Sequence, residues 1–153
     1  MRMKALLATL VAVFAVLGVL SAPSASADRG WPPVRYRHLA DQTQCLDGNG
    51  HAARLWTCNY GPNQLWHYSA GASNLMLSND SNDWCLDGNG TGVYLNPCNV
   101  TNAYQRWDAI NVNGHIIFKH RRTGTCIESR GPHEHLTLTT CTYFNVQAFD
   151  FFL

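Results

Sequence analysis

The chain has 153 residues, of which 46% are hydrophobic and 14% charged, and its formal net charge is +1. That balance lacks the clustered basic excess a phosphate-binding surface requires, which argues against nucleic acid as a partner. The one basic run, Lys119-His120-Arg121-Arg122, reads as a solvated strand end or turn.

At the N-terminus, Arg2 and Lys4 precede an uncharged run over residues 5–20 that is apolar but for Thr9, and the segment closes on Ala25-Ser26-Ala27. A basic head, an apolar stretch and a small-x-small end are the signature of a secretory signal peptide over residues 1–27, with cleavage before Asp28. The alternative is a membrane anchor, which usually needs about 20 apolar residues and basic residues on its far side. The mature chain is then about 126 residues, the size of one domain with one core. Of the 11 basic side chains, 9 remain against 10 acidic ones, so its charge falls near −1 with histidines neutral. No membrane span is expected in it. Residues 28–33, ending in Trp31-Pro32-Pro33, read as a short stiff lead-in.

Beyond the lead-in the chain repeats itself. The first unit carries Cys45-Leu46-Asp47-Gly48-Asn49-Gly50, Leu55-Trp56-Thr57-Cys58 and Gln64-Leu65-Trp66. The second carries Cys85-Leu86-Asp87-Gly88-Asn89-Gly90, Leu95-Asn96-Pro97-Cys98 and Gln105-Arg106-Trp107. A worn third copy reads Cys126-Ile127-Glu128, Leu138-Thr139-Thr140-Cys141 and Gln147-Ala148-Phe149. The first cysteines stand 40 and 41 positions apart and the glutamines 41 and 42, giving units of about 34–70, 71–112 and 113–153.

Within the units, apolar residues do not recur at helical spacing over long stretches, which argues against a helical solenoid. Short alternating runs at 34–39, 75–78 and 115–119 each open a unit as a strand, and clusters of Gly, Asn, Asp and Pro punctuate the rest of the unit. About four short strands per unit, taken three times, predict an all-β chain closed as a β-trefoil, a barrel with hairpins across one end. A propeller is the competing architecture, but three blades fall below the number that usually closes the ring.

Leu46, Leu86 and Ile127, with Leu55, Leu95 and Leu138 and the aromatics Trp66, Trp107 and Phe149, are the expected three-fold core. Each large aromatic would contribute on the order of 2 to 3 kcal/mol by burial. Gln64, Gln105 and Gln147 lie two residues before those aromatics and are expected as buried amides bonded to loop backbone. The six cysteines are an even count in an exported chain, and no C-x-x-C zinc pair occurs among them. Their recurrence in every unit favours pairing within units: Cys45–Cys58, Cys85–Cys98 and Cys126–Cys141.

The triple Cys-Leu-Asp, Leu-x-x-Cys and Gln-x-Trp pattern resembles the ricin B-chain-like lectins and the trefoil sugar-binding modules attached to many plant-cell-wall hydrolases. The likeness covers essentially the whole mature chain. It implies up to three carbohydrate pockets, each with an aspartate after the first cysteine, an aromatic two before the second, and an asparagine beside the motif glutamine. The first unit fills that pattern with Asp47, Trp56 and Asn63 next to Gln64.

Physical chemistry supports those residue types. A carboxylate offers two acceptor oxygens to neighbouring sugar hydroxyls, and a flat indole covers the C–H face of a pyranose. Arg54 points to the same side of its strand as Trp56 and stands where many relatives carry glutamine, a departure bearing on sugar preference. The competing reading of Asp47 is a turn former with Gly48, Asn49 and Gly50. In the second unit Asp87 is kept, Asn96 replaces the aromatic, Tyr104 takes the place of the asparagine, and Tyr94 offers a substitute platform, so this is the weaker expected site. In the third, Glu128, Thr139 and Val146 supply neither ring nor amide, and that copy is expected to serve the barrel.

His133-Glu134-His135 invites a metal reading, but two histidines on one strand without a third ligand fall short of a zinc site. Asp47 and Asp87, equivalent positions in different units, are too far apart by symmetry to act across one glycosidic bond. No nucleophile stands with a base. Asn-x-Ser/Thr sequons begin at Asn79, Asn89 and Asn99, and Trp84 reads as a rim packing residue. The expectation is a secreted, non-catalytic lectin-like module without cofactor, recognising galactose- or pentose-type glycans, alone or beside a separately encoded catalytic or toxin partner. The alternative is a trefoil that binds a protein partner, as protease inhibitors or toxin-delivery subunits do.

Overall fold

A computed structural model describes residues 32–69 and 72–153. The leader expected over residues 1–27, and Trp31, lie outside them. Twelve strands occupy the described residues, four to a unit. The first unit contains β1 (Arg35–His38), β2 (Gln44–Asn49), β3 (Ala52–Thr57) and β4 (Trp66–Tyr68). In the second are β5 (Leu77–Asn79), β6 (Trp84–Gly88), β7 (Val93–Pro97) and β8 (Trp107–Val112). The third has β9 (His115–His120), β10 (Cys126–Glu128), β11 (Thr137–Thr139) and β12 (Ala148–Phe152). The alternating and punctuated runs of the sequence therefore became short strands; β1 and β9 match the runs expected at 34–39 and 115–119, while β5 begins two residues into the run expected at 75–78.

The outer strands of each unit close a ring. β1 pairs with β12, β4 with β5, and β8 with β9, all antiparallel. β9 pairs with β12, and isolated bridges Val34↔Trp66 and Leu75↔Trp107 supply the remaining joins. The inner strands form three hairpins, β2–β3, β6–β7 and β10–β11. These touch one another in a cycle through Ala52↔Tyr94, Arg54↔His135 and Gly92↔Thr137. A six-stranded ring capped by three mutually contacting hairpins is a β-trefoil, and each sheet edge of the hairpins is covered by the next repeat.

The three-fold core forms as the sequence predicts. Leu46, Leu86, Ile127, Leu55, Leu95, Leu138, Trp66, Trp107 and Phe149 are all buried in one cluster, joined by Phe118 and Leu77. The two indoles are held as well as packed: Trp66 Nε1 donates to the Leu46 carbonyl at 3.0 Å and Trp107 Nε1 to the Leu86 carbonyl at 3.0 Å. Phe149 is also fully buried but has a smaller ring without an N–H, so the third copy keeps an aromatic in the core and loses the bond. Buried indoles need such an acceptor, because an unpaired N–H in an apolar interior costs about 1 to 3 kcal/mol.

Disulfides pair Cys45 with Cys58, Cys85 with Cys98 and Cys126 with Cys141, one within each unit. Asn79, Asn89 and Asn99 each accept from the backbone N–H two residues on, so the three sequons are also Asx turns that bend the chain between strands. Gly48 and Gly88 lie in strands rather than turns. A Cβ on Gly88 would stand 2.9 Å from Leu138 Cδ1, and one on Gly48 3.0 Å from Leu95 Cδ2, so close approach of the next strand explains the glycine after each aspartate. At the end of the barrel away from the hairpins, a cavity of about 190 Å³ opens between Val34, Tyr36, Leu75, Ile116 and Phe151.

Each disulfide closes a loop of 13 to 15 residues. Replacing Cys85 and Cys98 together by alanine should lower unfolding free energy by about 3 kcal/mol through the freer unfolded chain. Guanidinium titration of the variant checks this; an unchanged midpoint and slope would show that the barrel does not depend on the bridge.

Candidate functional site

Each unit places an acidic side chain on the first hairpin strand, facing a residue on the second. The pairs in register are Asp47↔Arg54, Asp87↔Tyr94 and Glu128↔Thr137. The motif glutamine ends a 3₁₀ turn just before the barrel strand, at Pro62–Gln64, Ala103–Gln105 and Asn145–Gln147. From there its amide reaches back under the hairpin. Gln64 Nε2 donates to Asp47 Oδ2 at 3.2 Å and to the Thr57 carbonyl at 2.9 Å, while its Oε1 accepts from Asn59 N at 2.9 Å. Gln105 repeats this with Asp87 Oδ2 at 3.1 Å, Pro97 O at 3.0 Å and Asn99 N at 2.8 Å. Gln147 does so with Glu128 Oε2 at 3.0 Å, Thr140 O at 2.9 Å and Thr142 N at 2.8 Å. The glutamines thus bond to loop backbone as expected and, in addition, orient the carboxylates.

Around that shared frame the three copies differ. In the second unit Asp87, only 1% exposed, stands in a depression of about 260 Å³ lined by Asn89, Tyr94, Asn96, Asn102 and Tyr104. Its Oδ2 also accepts from Asn102 Nδ2 at 3.0 Å and Asn96 Nδ2 at 3.4 Å. Oδ1 has no hydrogen-bond partner among the described residues. Partial burial, followed by the nearby Asp87 charge, pushes the Tyr94 phenol up, so its proton stays on and it remains a donor. Tyr104 is 40% exposed at the rim, stacked at 6.0 Å on His120 and overlain by Arg122 at 5.9 Å. His120 itself is held at both ring nitrogens, by Thr123 Oγ1 at 2.9 Å and by the Tyr104 carbonyl at 3.0 Å.

In the first unit Asp47 is equally buried, and burial pushes its carboxyl up against the opposing pull of Gln64 and Arg54. Its Oδ1 lies 3.5 Å from Arg54 Nε, an ion-pair contact rather than a hydrogen bond. The guanidinium carbon of Arg54 sits 4.2 Å from the Trp56 ring centroid, and the His133 ring stacks on the same indole at 4.1 Å and 30°. Trp56 is half-buried, on the same side of the hairpin as Arg54 and Asp47. Asn63 is half-buried too, and its carbonyl accepts from Asn79 Nδ2 at 2.7 Å. Asp47 belongs to a strand and the bend comes later, with Gly50 at φ 58°, so Asp47 is not the turn residue of its hairpin. In the third unit Thr139 Oγ1 donates to Glu128 Oε2 at 3.0 Å, filling the place where the other copies keep a ring or an amide.

Two contributors escape the sequence pattern. Asn102 is the N-cap of its 3₁₀ turn, accepting from Tyr104 N at 2.9 Å while donating to Asp87. Gly61 and Phe144 hold the equivalent cap positions in the other units, so no repeat-wide signal marks it. His133 reaches Trp56 from the third unit because its loop bonds across to β3, with Leu55 N donating to the Glu134 carbonyl.

A trefoil with buried carboxylates under its hairpins and a polar depression beside Asp87 is an architecture suited to binding sugar. The chain belongs to the family of the ricin-type beta-trefoil lectin domain, whose profile matches residues 34–149. No curated protein matches it. Among solved structures it is similar to the designed three-fold symmetric protein ThreeFoil, at 14% identity and TM-score 0.69, covering 78% of this chain and 96% of that one. It is also similar to SeviL bound to asialo-GM1 saccharide, at 13% identity and TM-score 0.61, covering 78% and 94%. A third is the exo-beta-1,3-galactanase 1,3Gal43A from Clostridium thermocellum, at 16% identity and TM-score 0.70, where 80% of this chain covers 30% of that one. Disulfides in every unit suit an oxidising, extracellular setting, and no helix among the described residues is long and apolar enough to cross a membrane.

The second site also carries a pH signature. Burial holds His120 below its ordinary 6.5, outweighing the Tyr104 carbonyl and Asp87, and burial does the same to His38. A folded pKa below the unfolded one means that this stability is present above pH 6.5 and is lost as pH falls through the folded value. Denaturant midpoints should therefore drop between about pH 7.5 and about pH 5, and His120→Gln should drop less steeply. Parallel slopes for the two proteins would contradict the burial argument.

Proposed function

We propose that the chain is a secreted, non-catalytic lectin that recognises galactose- or pentose-type glycans through the hairpin sites of its first two units. The observation that carries this reading is Asp87: a buried carboxylate braced by three amides on one oxygen, with the other still lacking a donor. A pair of sugar hydroxyls supplies donors of that kind, and the amides and phenols of Asn96, Asn102, Tyr94 and Tyr104 offer partners for the remaining ring substituents. The depression is slightly smaller than the roughly 300 to 1,000 Å³ of pockets for drug-sized ligands, which fits one ring better than an extended chain. Asp47, Arg54, Trp56, Asn63 and Gln64 form the corresponding first-unit site. The saccharide seen on SeviL and the galactan chemistry of the galactanase, both attached to the same fold, agree with this class of ligand.

Single shallow sites bind weakly, so avidity from two sites on clustered glycans is part of the proposal. A separately encoded hydrolase or toxin subunit is the partner such a module would direct. The second reading, a protein-binding trefoil, draws on Tyr143, Phe144 and Val146, three exposed apolar side chains in one loop of the third unit. Glycan-array screening followed by calorimetric titration separates the two. Asp87→Asn should weaken binding of the best neutral glycan at least tenfold, about 1.4 kcal/mol, while near-UV circular dichroism stays that of the parent. Full binding by the variant rejects the second-unit site, and capture of a protein that free sugar fails to displace favours the other reading.

A further inference from the structure

The two sites share a frame, yet the residue facing the carboxylate across the hairpin differs in charge. In the second unit it is the neutral phenol of Tyr94; in the first it is Arg54. A neutral sugar entering the first site meets an Asp47 whose Oδ2 is taken by Gln64 and whose Oδ1 faces Arg54 Nε. It also meets an indole against which Arg54 and His133 already lie. Among the described residues both carboxylates lack a hydrogen-bond donor at Oδ1, but that of Asp47 is already held in an ion pair, and the indole beside it is already covered by the protein's own side chains.

What the first site leaves unpaired is cationic. The terminal Nη atoms of Arg54 make no hydrogen bond or ion pair among the described residues, and its side chain is 23% exposed. Asp47 on one side and the Trp56 ring beneath fix the guanidinium plane, so its outer N–H fork is pre-oriented. His133 is exposed next to it, with Nε2 turned to Thr57 Oγ1 at 3.4 Å. The exposed Arg130 and His135 flank His133 in the same loop, against one acidic neighbour, Glu134. A planar, weakly hydrated guanidinium backed by an aromatic face matches a carboxylate or sulfate, and charge-assisted bonds of this type are roughly twice as strong as neutral ones.

We infer that the first-unit site recognises an acidic saccharide, a sugar carrying a carboxylate or a sulfate ester, which Arg54 grips from its place on Trp56 with His133 alongside. The inference rests on the lectin reading and makes the two sites chemically different: the Asp87 site takes neutral rings and the Arg54 site anionic ones.

The test is calorimetric titration of the full disulfide-bonded chain with oligosaccharides ending in galactose, galacturonate or 6-sulfogalactose, at low and at raised salt. At least one acidic sugar should bind more tightly than the neutral one, with a preference that shrinks as salt rises; which acidic sugar wins tells carboxylate from sulfate. Arg54→Gln should cut the ratio of acidic to neutral affinity at least tenfold, and Arg54→Lys, which keeps the charge without the fork, should cut it by less. Near-UV circular dichroism matched to the parent establishes that each variant is folded. An equal ratio in the parent and Arg54→Gln overturns the inference, as does loss of acidic-sugar binding in Asp87→Asn alone. Binding of neutral galactosides with no Arg54-dependent acidic preference overturns it while the lectin reading stands, whereas a chain that binds no saccharide overturns both.

Discussion

The glutamine amide that ends each 3₁₀ turn is the interaction on which both fold and site depend. From a fully buried position it ties the loop after the hairpin to itself, accepting from one backbone N–H (two at Gln147) and donating to one carbonyl, and turns its amide also to the carboxylate of the first hairpin strand. A buried amide has few ways to satisfy its donors and acceptor, and an unmet group costs about 1 to 3 kcal/mol. The hairpin, the loop and the barrel strand are consequently locked at one relative position. The aspartate is held beneath the hairpin already oriented, with one oxygen occupied by the glutamine.

That clamp explains why the copies can diverge so far above it. Arg54, Tyr94 and Thr137 all occupy the place across from the carboxylate, and none of them disturbs the frame. In the third unit the longer Glu128 still meets its glutamine, but its oxygen is also taken by Thr139, and the outer surface becomes the apolar loop of Tyr143, Phe144 and Val146. Structure is carried by the residues beneath the hairpins, and those above are free to differ from unit to unit.

The sequence made the first of these layers legible and left much of the second hidden, for a physical reason. Repeat period, strand alternation, disulfide pairing and the leucine and aromatic core are properties of a unit, visible each time it recurs. The faces of Asp47 and Trp56 follow from strand alternation as well. Asn102 and His133 are different. One acts from a cap position that Gly61 and Phe144 fill elsewhere; the other crosses from the third unit to the first through a loop whose backbone pairs with β3. Contacts that exist once, or between units, leave no periodic trace.

The same distinction bears on what kind of binder the fold makes. Three-fold repetition would by itself give three equal weak pockets, useful only against a repetitive ligand. Here the hairpins touch in a cycle, so a loop of one unit lies beside the site of another, and the third unit, with its carboxylate satisfied internally, furnishes the wall of the first unit's site through His133. A copy whose own carboxylate is bonded internally becomes free to shape its neighbour's surface. The arginine facing Asp47 and the tyrosine facing Asp87 add to that asymmetry, and under the proposed function they are what would let a symmetric scaffold read two chemically distinct features of a single glycan surface.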